Sequence, residues 1–305
     1  MRVQGMETSA ASTRTWRPWV RPLVGATILG ALVARLGAGP IGDGLRAVTL
    51  GGIALAAGLT ALTTACAAWR WQVVARRFGL MLPLGTAVAA YYQSQFLNLT
   101  LPGGVVGDLD RGVRHGRTVG TLRGGLGAVA IERLVGQGVL ITTTVVTAAV
   151  VGDVPGFAAV GVVVLAGGGL WLARRHGARF LTVVVLASLI AVAGHVAIFV
   201  VAARVVGVAL PLSALLPLAL LVLVVAGLPL NVAGWGPREG AAAWAFAASG
   251  ATAAQGLAVA VAFGAVVTVA TLPGGVVLLR RAMRLRAGTA RAPQVAPRSE
   301  VSTHG

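Results

Sequence analysis

Long apolar runs, separated by short arginine-bearing segments, make up most of this chain. Six of the runs are long enough to cross a membrane as α-helices, which takes about 20 mostly apolar residues. They extend from Pro22 to Ala38, Ala47 to Ala68, Gly124 to Val151, Val154 to Ala173, Phe180 to Ala203 and Gln255 to Leu279. Apolar and polar residues do not alternate along these runs, as they would in the strands of a β-barrel. The pattern predicts an all-α, polytopic transmembrane helical bundle.

Two further apolar regions, residues 80–107 and 211–250, are interrupted by turn-forming residues. Pro and Gly end helices because Pro lacks an amide hydrogen and Gly adopts turn conformations freely. The first interruption contains Pro102, Gly103, Gly104 and Gly107, and the second contains Gly234, Gly236 and Pro237. We predict a re-entrant broken-helix hairpin at each, in addition to the six full spans. If each region instead holds ordinary kinked spans, the bundle has about eight spans.

The arginines predict the orientation of the bundle. They cluster within residues 14–21, 70–77, 111–123, 174–179 and 280–286, and such clusters prefer the cytoplasmic side. The loops at residues 39–46, 152–154 and 204–210 have fewer arginines and are expected to face outward. The arginine clusters can face the cytoplasm and these loops can face outward if the two hairpins enter the membrane from opposite sides. We therefore expect a multi-pass protein of a bacterial plasma membrane with both termini in the cytoplasm.

This threading divides the chain into three parts. Residues 1–21 are expected to be a cytoplasmic segment, residues 22–286 the transmembrane domain and residues 287–305 a disordered cytoplasmic tail.

Composition supports a membrane protein and argues against a nucleic-acid-binding one. The chain is 57% hydrophobic and only 11% charged, and its mean hydropathy is +0.86. So little polar material cannot cover a soluble fold. The net charge of +17 comes from arginines at the ends of apolar runs and in the tail, where they favour contact with lipid phosphates over contact with nucleic acid.

A few charged residues lie in or beside the apolar regions, where charge is expensive, so each needs a partner or a function. They are Asp108, Arg111, Glu132, Arg133, Arg238 and Glu239. Asp108 is placed to cap a helix or to sit beside a phosphate site at the first break. Glu132 and Arg133 point about 100° apart on a helix, so each needs its own neighbour. Arg238 or Arg111 is the expected partner of Glu132, in a structural ion pair or in a binding site.

Other chemistry is sparse in the sequence. The four histidines and the single cysteine, Cys66, form no metal-ligand spacing, so we expect no metal and no cofactor. The chain has no nucleotide-binding loop. Asp108 and Asp110 form a DxD triplet that would suit a divalent ion in a membrane-embedded glycosyl- or lipid-modifying enzyme, which is the second functional hypothesis.

Several motifs resemble the transmembrane domain family of lysylphosphatidylglycerol synthase, whose stand-alone members are called flippase-like proteins. The chain contains, in the family's order, "RW" at Arg70, "FLNLTLPGGVVGDLDR" from Phe96, "ERLVG" from Glu132 and "GWGPREG" from Gly234. It departs from the family at Val106, where a glycine is usual, and at Asp110, where an apolar residue is common. Only a short tail follows Leu279, so we expect no lysyl transfer.

The resemblance implies re-entrant segments around a cavity for a lipid headgroup and movement of a polar lipid between leaflets. Position by position, the family's functional residues fall on Asp108, Arg111, the pair Glu132 and Arg133, and the motif from Pro237 to Glu239. We expect Arg111 and Arg238 to bind the phosphate of a phospholipid or lipid-linked sugar phosphate. The carboxylates would position these arginines or bind a cationic headgroup. Membrane lipids and a separately encoded lipid-modifying enzyme are the expected partners, and a non-catalytic scaffold for a lipid synthase is a further alternative.

Overall fold

The computed structural model describes residues 20–152, 161, 163, 167–168, 174–230 and 233–290, and the regular structure in these ranges consists of helices. The predicted span from Val154 to Ala173 lies mostly outside the described residues. The helices are α1 (Val20–Leu36), α2 (Gly39–Arg46), α3 (Leu50–Ala75), a 3-10 turn (Arg76–Phe78), α4 (Leu84–Thr100), α5 (Val106–Thr118), α6 (Leu122–Val151), α7 (Ala178–Val205), α8 (Leu212–Ala226), α9 (Pro237–Ala248), α10 (Ala253–Ala270) and α11 (Leu272–Ala290).

Within the described ranges, four helical stretches are long and apolar enough to cross a membrane. They are Leu50–Phe78, Leu122–Val151, Ala178–Val205 and Ala253–Arg284, with 29, 30, 28 and 32 residues. Large apolar side chains such as Leu62, Leu134 and Leu186 are exposed on their outer surfaces, as expected for helices that face lipid. These stretches coincide with four of the predicted spans, and they confirm an all-α membrane bundle.

The N-terminal part of the bundle differs from the prediction. Residues 39–46, predicted to be a loop, form α2, whose axis is bent by 101° from that of α1. Pro40 in the first turn of α2 fits a helix start, where its missing amide hydrogen is not needed. Gly44 packs α2 against α10, because a Cβ there would lie 2.8 Å from Cβ of Val261. The loop prediction for residues 39–46 was wrong, because a segment between two apolar runs was taken to be without helical structure.

The first broken region forms two short helices that lie side by side. Helix α4 has 17 residues and α5 has 13, and the chain between them turns at Gly103 and Gly104, whose φ angles are +95° and +64°. Gly107 allows α5 to touch α4, since a Cβ there would lie 2.6 Å from Cα of Ser94. The break is therefore where the sequence predicts it, although its second arm extends beyond Gly107 to Thr118.

The second broken region has the same plan with a more apolar sequence. Helices α8 and α9 have 15 and 12 residues, and positive φ angles occur between them at Gly234 and Gly236. Gly236 packs against the backbone of Gly25 in α1, because a Cβ at Gly236 would lie 2.6 Å from Cα of Gly25. Helices α7 to α10 share a core in which the Phe199 ring lies 6.2 Å from Phe246 and 5.7 Å from Phe263. This core fixes the position of the second break.

Candidate functional site

Asp108 ties the two arms of the first broken region together. Its carboxylate accepts hydrogen bonds from Ser94 Oγ at 2.9 Å and from Asn98 Nδ2 at 2.8 Å, both on α4. Asn98 Oδ1 in turn accepts a 2.8 Å bond from the backbone amide of Gly107 in the first turn of α5. Asn98 therefore satisfies a free amide of this helix, and Asp108 does not act as the N-cap, which is Val105.

Glu132 on α6 is the centre of a buried ionic cluster. Its side chain is fully buried and binds Arg70 of α3, whose Nε donates to Oε1 at 2.9 Å. Arg111 of α5 donates to the other oxygen, Oε2, at 3.1 Å, and the hydroxyl of Tyr91 on α4 donates to Oε1 at 3.1 Å. Four helices are thus joined at one carboxylate, which would be too costly to bury without these partners.

Arg111 is completely buried and contacts protein on all sides. Its guanidinium carbon lies 4.5 Å from the ring centre of Trp71 and 4.2 Å from that of Tyr91, in cation–π geometry. One of its nitrogens also donates to Asp108 at 3.1 Å. His115, one turn later on α5, stacks edge-on against Trp71 at 5.1 Å, and burial lowers the pKa of this histidine. Arg111 therefore stabilises the cluster from inside.

Arg133 leaves α6 in a different direction from Glu132, as the sequence predicts. Its guanidinium makes a 2.9 Å ion pair with Asp108, and 39% of its side chain is exposed. Among the arginines that pair with Glu132 or Asp108, Arg133 is the one with substantial exposure, because Arg70 is 8% and Arg111 0% exposed.

The second break carries an ion pair of its own. Arg238 Nε donates to Glu239 Oε1 at 2.9 Å, and both side chains are buried. The other oxygen of Glu239 accepts a 2.6 Å bond from the amide of Gly236 just before α9. Arg238 also lies 5.3 Å from the ring of Trp235 and 5.6 Å from that of Phe263. Glu239 therefore holds the turn before α9 in place and also orients Arg238.

A cavity of about 330 Å³ lies between the two broken regions. Its polar lining comes from Arg70, Tyr91, Arg133, Gln137, Ser188, His195 and Arg238, and its apolar lining includes Leu99, Leu140, Leu223, Phe263 and Val267. Gly234 of the second break also lines it, so this cavity is where the two halves of the domain meet. Such a volume, with convergent polar groups and an apolar wall, is typical of a small-molecule site.

The residues predicted to bind the headgroup fall into two groups in the structure. Arg133 and Arg238 line the cavity, whereas Asp108, Arg111, Glu132 and Glu239 are buried behind its wall. Of the two partners expected for Glu132, Arg111 is bound to it, and Arg238 pairs with its own neighbour. Pro102, Gly103 and Gly104 lie in the turn between α4 and α5, Gly107 lies in the first turn of α5, and Gly236 and Pro237 start α9.

Several residues of the site were missed or misassigned from the sequence. Arg70 was grouped with arginines of the cytoplasmic surface, but it is buried against Glu132 and donates to Ser188 Oγ at 2.8 Å. Gly136, one turn after Glu132, leaves space for the Arg70 side chain, since a Cβ at Gly136 would lie 2.9 Å from the guanidinium carbon of Arg70. Tyr91 and Ser188 carry no charge and are only weakly polar, so hydropathy does not distinguish them. Gln137 and His195 are strongly polar within apolar runs, which is the available signal.

The geometry does not bring Asp108 and Asp110 together on a metal. Asp108 is held by Arg111 and Arg133, whereas Asp110 accepts from Gln93 at 3.0 Å and pairs with Arg114 and Arg281 at 3.5 Å each. In the part of the chain that the structure describes, no group of three or more His, Cys, Asp or Glu side chains could hold a metal ion.

Comparison with known proteins supports the resemblance in the motifs. The family model described as "Lysylphosphatidylglycerol synthase TM region" matches residues 19–180, which include the first broken region, Arg70 and the Glu132–Arg133 pair. No curated protein and no solved structure matches this chain.

Proposed function

Because this chain belongs to the family of the lysylphosphatidylglycerol synthase transmembrane region, we propose that it is a flippase-like membrane protein that translocates a polar lipid between leaflets. The cavity between the two broken regions carries the proposal. It combines arginines that suit a lipid phosphate with an apolar wall that suits the start of acyl chains. Broken helices around a central polar site are a recurring feature of transporters.

Arg133 and Arg238 are proposed as the phosphate ligands. Both side chains reach the cavity, one from α6 beside the first break and one from α9 after the second. Arg111, expected from the sequence to bind phosphate, takes a supporting role because it is fully buried and bound by Glu132, Asp108 and two aromatic rings. The carboxylates hold the arginines in place, which is one of the two roles expected for them.

We place the protein in a bacterial plasma membrane with its termini in the cytoplasm, and membrane lipids are its proposed partners. A lipid-modifying enzyme encoded separately would supply or consume the translocated lipid. Movement would run down a gradient of the lipid itself, or be coupled to an ion gradient.

The experiment is lipid movement in vesicles that contain the purified protein. Acyl-labelled fluorescent phospholipids are distributed across both leaflets, and the fraction bleached by an impermeant reductant is followed in time. We expect the double variant Arg133→Gln and Arg238→Gln to lose at least about ten-fold in rate, because two charge-assisted contacts to phosphate are removed.

Arg46→Gln is the matched control, since Arg46 lies on the surface in a 3.5 Å pair with Asp43 and 83% of its side chain is exposed. Its rate should equal that of the unaltered protein. Equal rates for the double variant and the control, with both proteins folded by circular dichroism, would show that these arginines do not bind the lipid. A scaffold protein would give the background rate for all three proteins.

A further inference from the structure

Every fully ionised side chain that lines the cavity among the described residues is positive. Arg70, Arg133 and Arg238 reach it, and no carboxylate of the described residues does. The nearby carboxylates are already satisfied: Glu132 has three partners, Asp108 has four and Glu239 has two. A cationic group in the cavity would therefore find no free anion to bind.

The cluster behind the first break has more positive than negative charge. Among the described residues, Arg70, Arg111 and Arg133 face two carboxylates, Asp108 and Glu132, so one positive charge is left over. An uncompensated charge is costly in a membrane-embedded site of low dielectric constant. One added negative charge would complete the cluster. Arg133 is placed to meet it, because its side chain is 39% exposed and lines the cavity.

Asp108 does not need Arg133 in order to stay satisfied. If Arg133 turned to a ligand, Asp108 would keep its bonds from Ser94 and Asn98 and its pair with Arg111. The exchange of one partner for another therefore leaves no carboxylate without a donor, and the cost of releasing Arg133 is small.

The remaining polar lining can bind hydroxyl groups. Gln137 Nε2 donates to the carbonyl of Val224 at 3.2 Å, which leaves Oε1 outside that bond, and His195 Nδ1 contacts the carbonyl of Ala191 at 2.7 Å, which leaves Nε2 outside that contact. These two atoms accept hydrogen bonds from hydroxyl and ammonium groups alike, so discrimination against ammonium groups rests on the charge of the lining. Aromatic rings are the other common partners of ammonium groups, and the two rings of the lining, Tyr91 and Phe263, each already lie beside a protein cation. Arg111 lies over Tyr91, and Arg238 lies near Phe263.

From these observations we propose that the cavity selects a phospholipid whose headgroup is a phosphodiester with one negative charge and with hydroxyl groups in place of an ammonium group. The proposal rests on the proposed function and specifies its substrate class. Arg133 and Arg238 contact the phosphate oxygens, while Gln137 and His195 contact hydroxyl groups of the headgroup. Lipids with an ammonium headgroup are disfavoured because that group would be buried beside arginines without a counter-ion.

The test compares three acyl-labelled lipids in the vesicle assay. Phosphatidylglycerol carries one negative charge and two headgroup hydroxyls, phosphatidylethanolamine has an ammonium group in place of the hydroxyls, and lysylphosphatidylglycerol carries a net positive charge. We expect phosphatidylglycerol to move at least about ten-fold faster than either of the others. Equal rates for the three lipids, or a faster rate for a lipid with an ammonium group, would overturn the charge preference and leave translocation itself standing.

Two variants test which residues set the preference. Arg133→Gln removes the surplus charge and should bring the rates for phosphatidylglycerol and phosphatidylethanolamine to within about three-fold of each other, whereas Arg46→Gln should keep the full difference. Gln137→Glu places a carboxylate in the cavity at nearly the same volume and should raise the rate for lysylphosphatidylglycerol relative to phosphatidylglycerol. An unchanged preference in both Arg133→Gln and Gln137→Glu would contradict the assignment.

A binding measurement separates this inference from the proposed function. Retention of each lipid by the purified protein in detergent is followed by native mass spectrometry. If phosphatidylglycerol is retained preferentially while no lipid moves in vesicles, the charge preference holds and translocation is wrong. Equal retention of the three lipids would refute the preference whatever the vesicles show.

Discussion

Glu132 shows how a single residue organises this protein. It lies in the middle of an apolar run, yet it is fully buried and bound by groups from three other helices. Hydropathy and helical geometry predict that such a residue needs a partner, and Arg111 was one of the two expected. Arg70 and Tyr91 were not expected as partners, because they are 62 and 41 residues away in the chain and nothing local marks them.

Removing the charge of Glu132 is expected to destabilise the fold. Glu132→Gln leaves Arg70 and Arg111 buried with insufficient negative charge, and breaking a buried ion pair in this way costs about 3 to 5 kcal/mol. The midpoint of thermal unfolding in detergent should fall clearly. Asp43→Asn is the control, since it removes a surface pair with an expected effect of about 0 to 1 kcal/mol. Similar midpoints for the two variants would mean that the cluster is not important for stability.

Helices α4 and α5 show why the second arm of a broken region was hard to delimit from the sequence. Helix α5 contains Arg111, Arg114 and Arg117 and was assigned to the cytoplasmic surface, although part of it is buried against α6. Glycines allow this burial, because Gly112 and Gly116 face Gly125 across the interface at backbone contact. A glycine face has no hydrophobic periodicity, so the usual indicator of a buried helix surface is missing.

Close packing of α5 on α6 gives a prediction at the level of the element. A Cβ at Gly125 would lie 2.6 Å from Cα of Gly116, so Gly125→Ala forces the two helices apart and should lower both thermal stability and lipid movement. Gly138→Ala on the same helix is the matched control, because a Cβ there meets no atom within 4 Å. Loss of function in both variants, or in neither, would show that the interface does not depend on this contact.

At the scale of the whole molecule, the cavity depends on both halves of the chain. Arg70, Tyr91 and Arg133 come from the first half, and Ser188, His195 and Arg238 come from the second. The family model covers Arg70, Tyr91 and Arg133, and it ends at residue 180, before the second break. The arrangement of Arg238 toward the cavity is therefore an observation on the structure and is independent of the family match.

Orientation in the membrane is a prediction for the whole chain and is tested by labelling. The single cysteine is first replaced, as Cys66→Ser, and cysteines are then introduced by Arg46→Cys or Arg117→Cys, both exposed positions. An impermeant maleimide added to intact cells should label position 46, predicted outside, and should label position 117 only after permeabilisation. The opposite pattern would invert the threading and place the termini outside.

The sequence alone determined the class of this protein and the positions of its two breaks. Apolar runs of spanning length require helices in a membrane, and the Pro and Gly residues at these two breaks interrupt helices, so both conclusions follow from local chemistry. The tertiary structure decided which charges meet. It placed Arg70 on Glu132, moved Arg111 behind the cavity wall and left Arg133 and Arg238 facing the cavity. Which charged side chains pair depends on how helices that are far apart in the chain pack together, and no local sequence pattern specifies that packing.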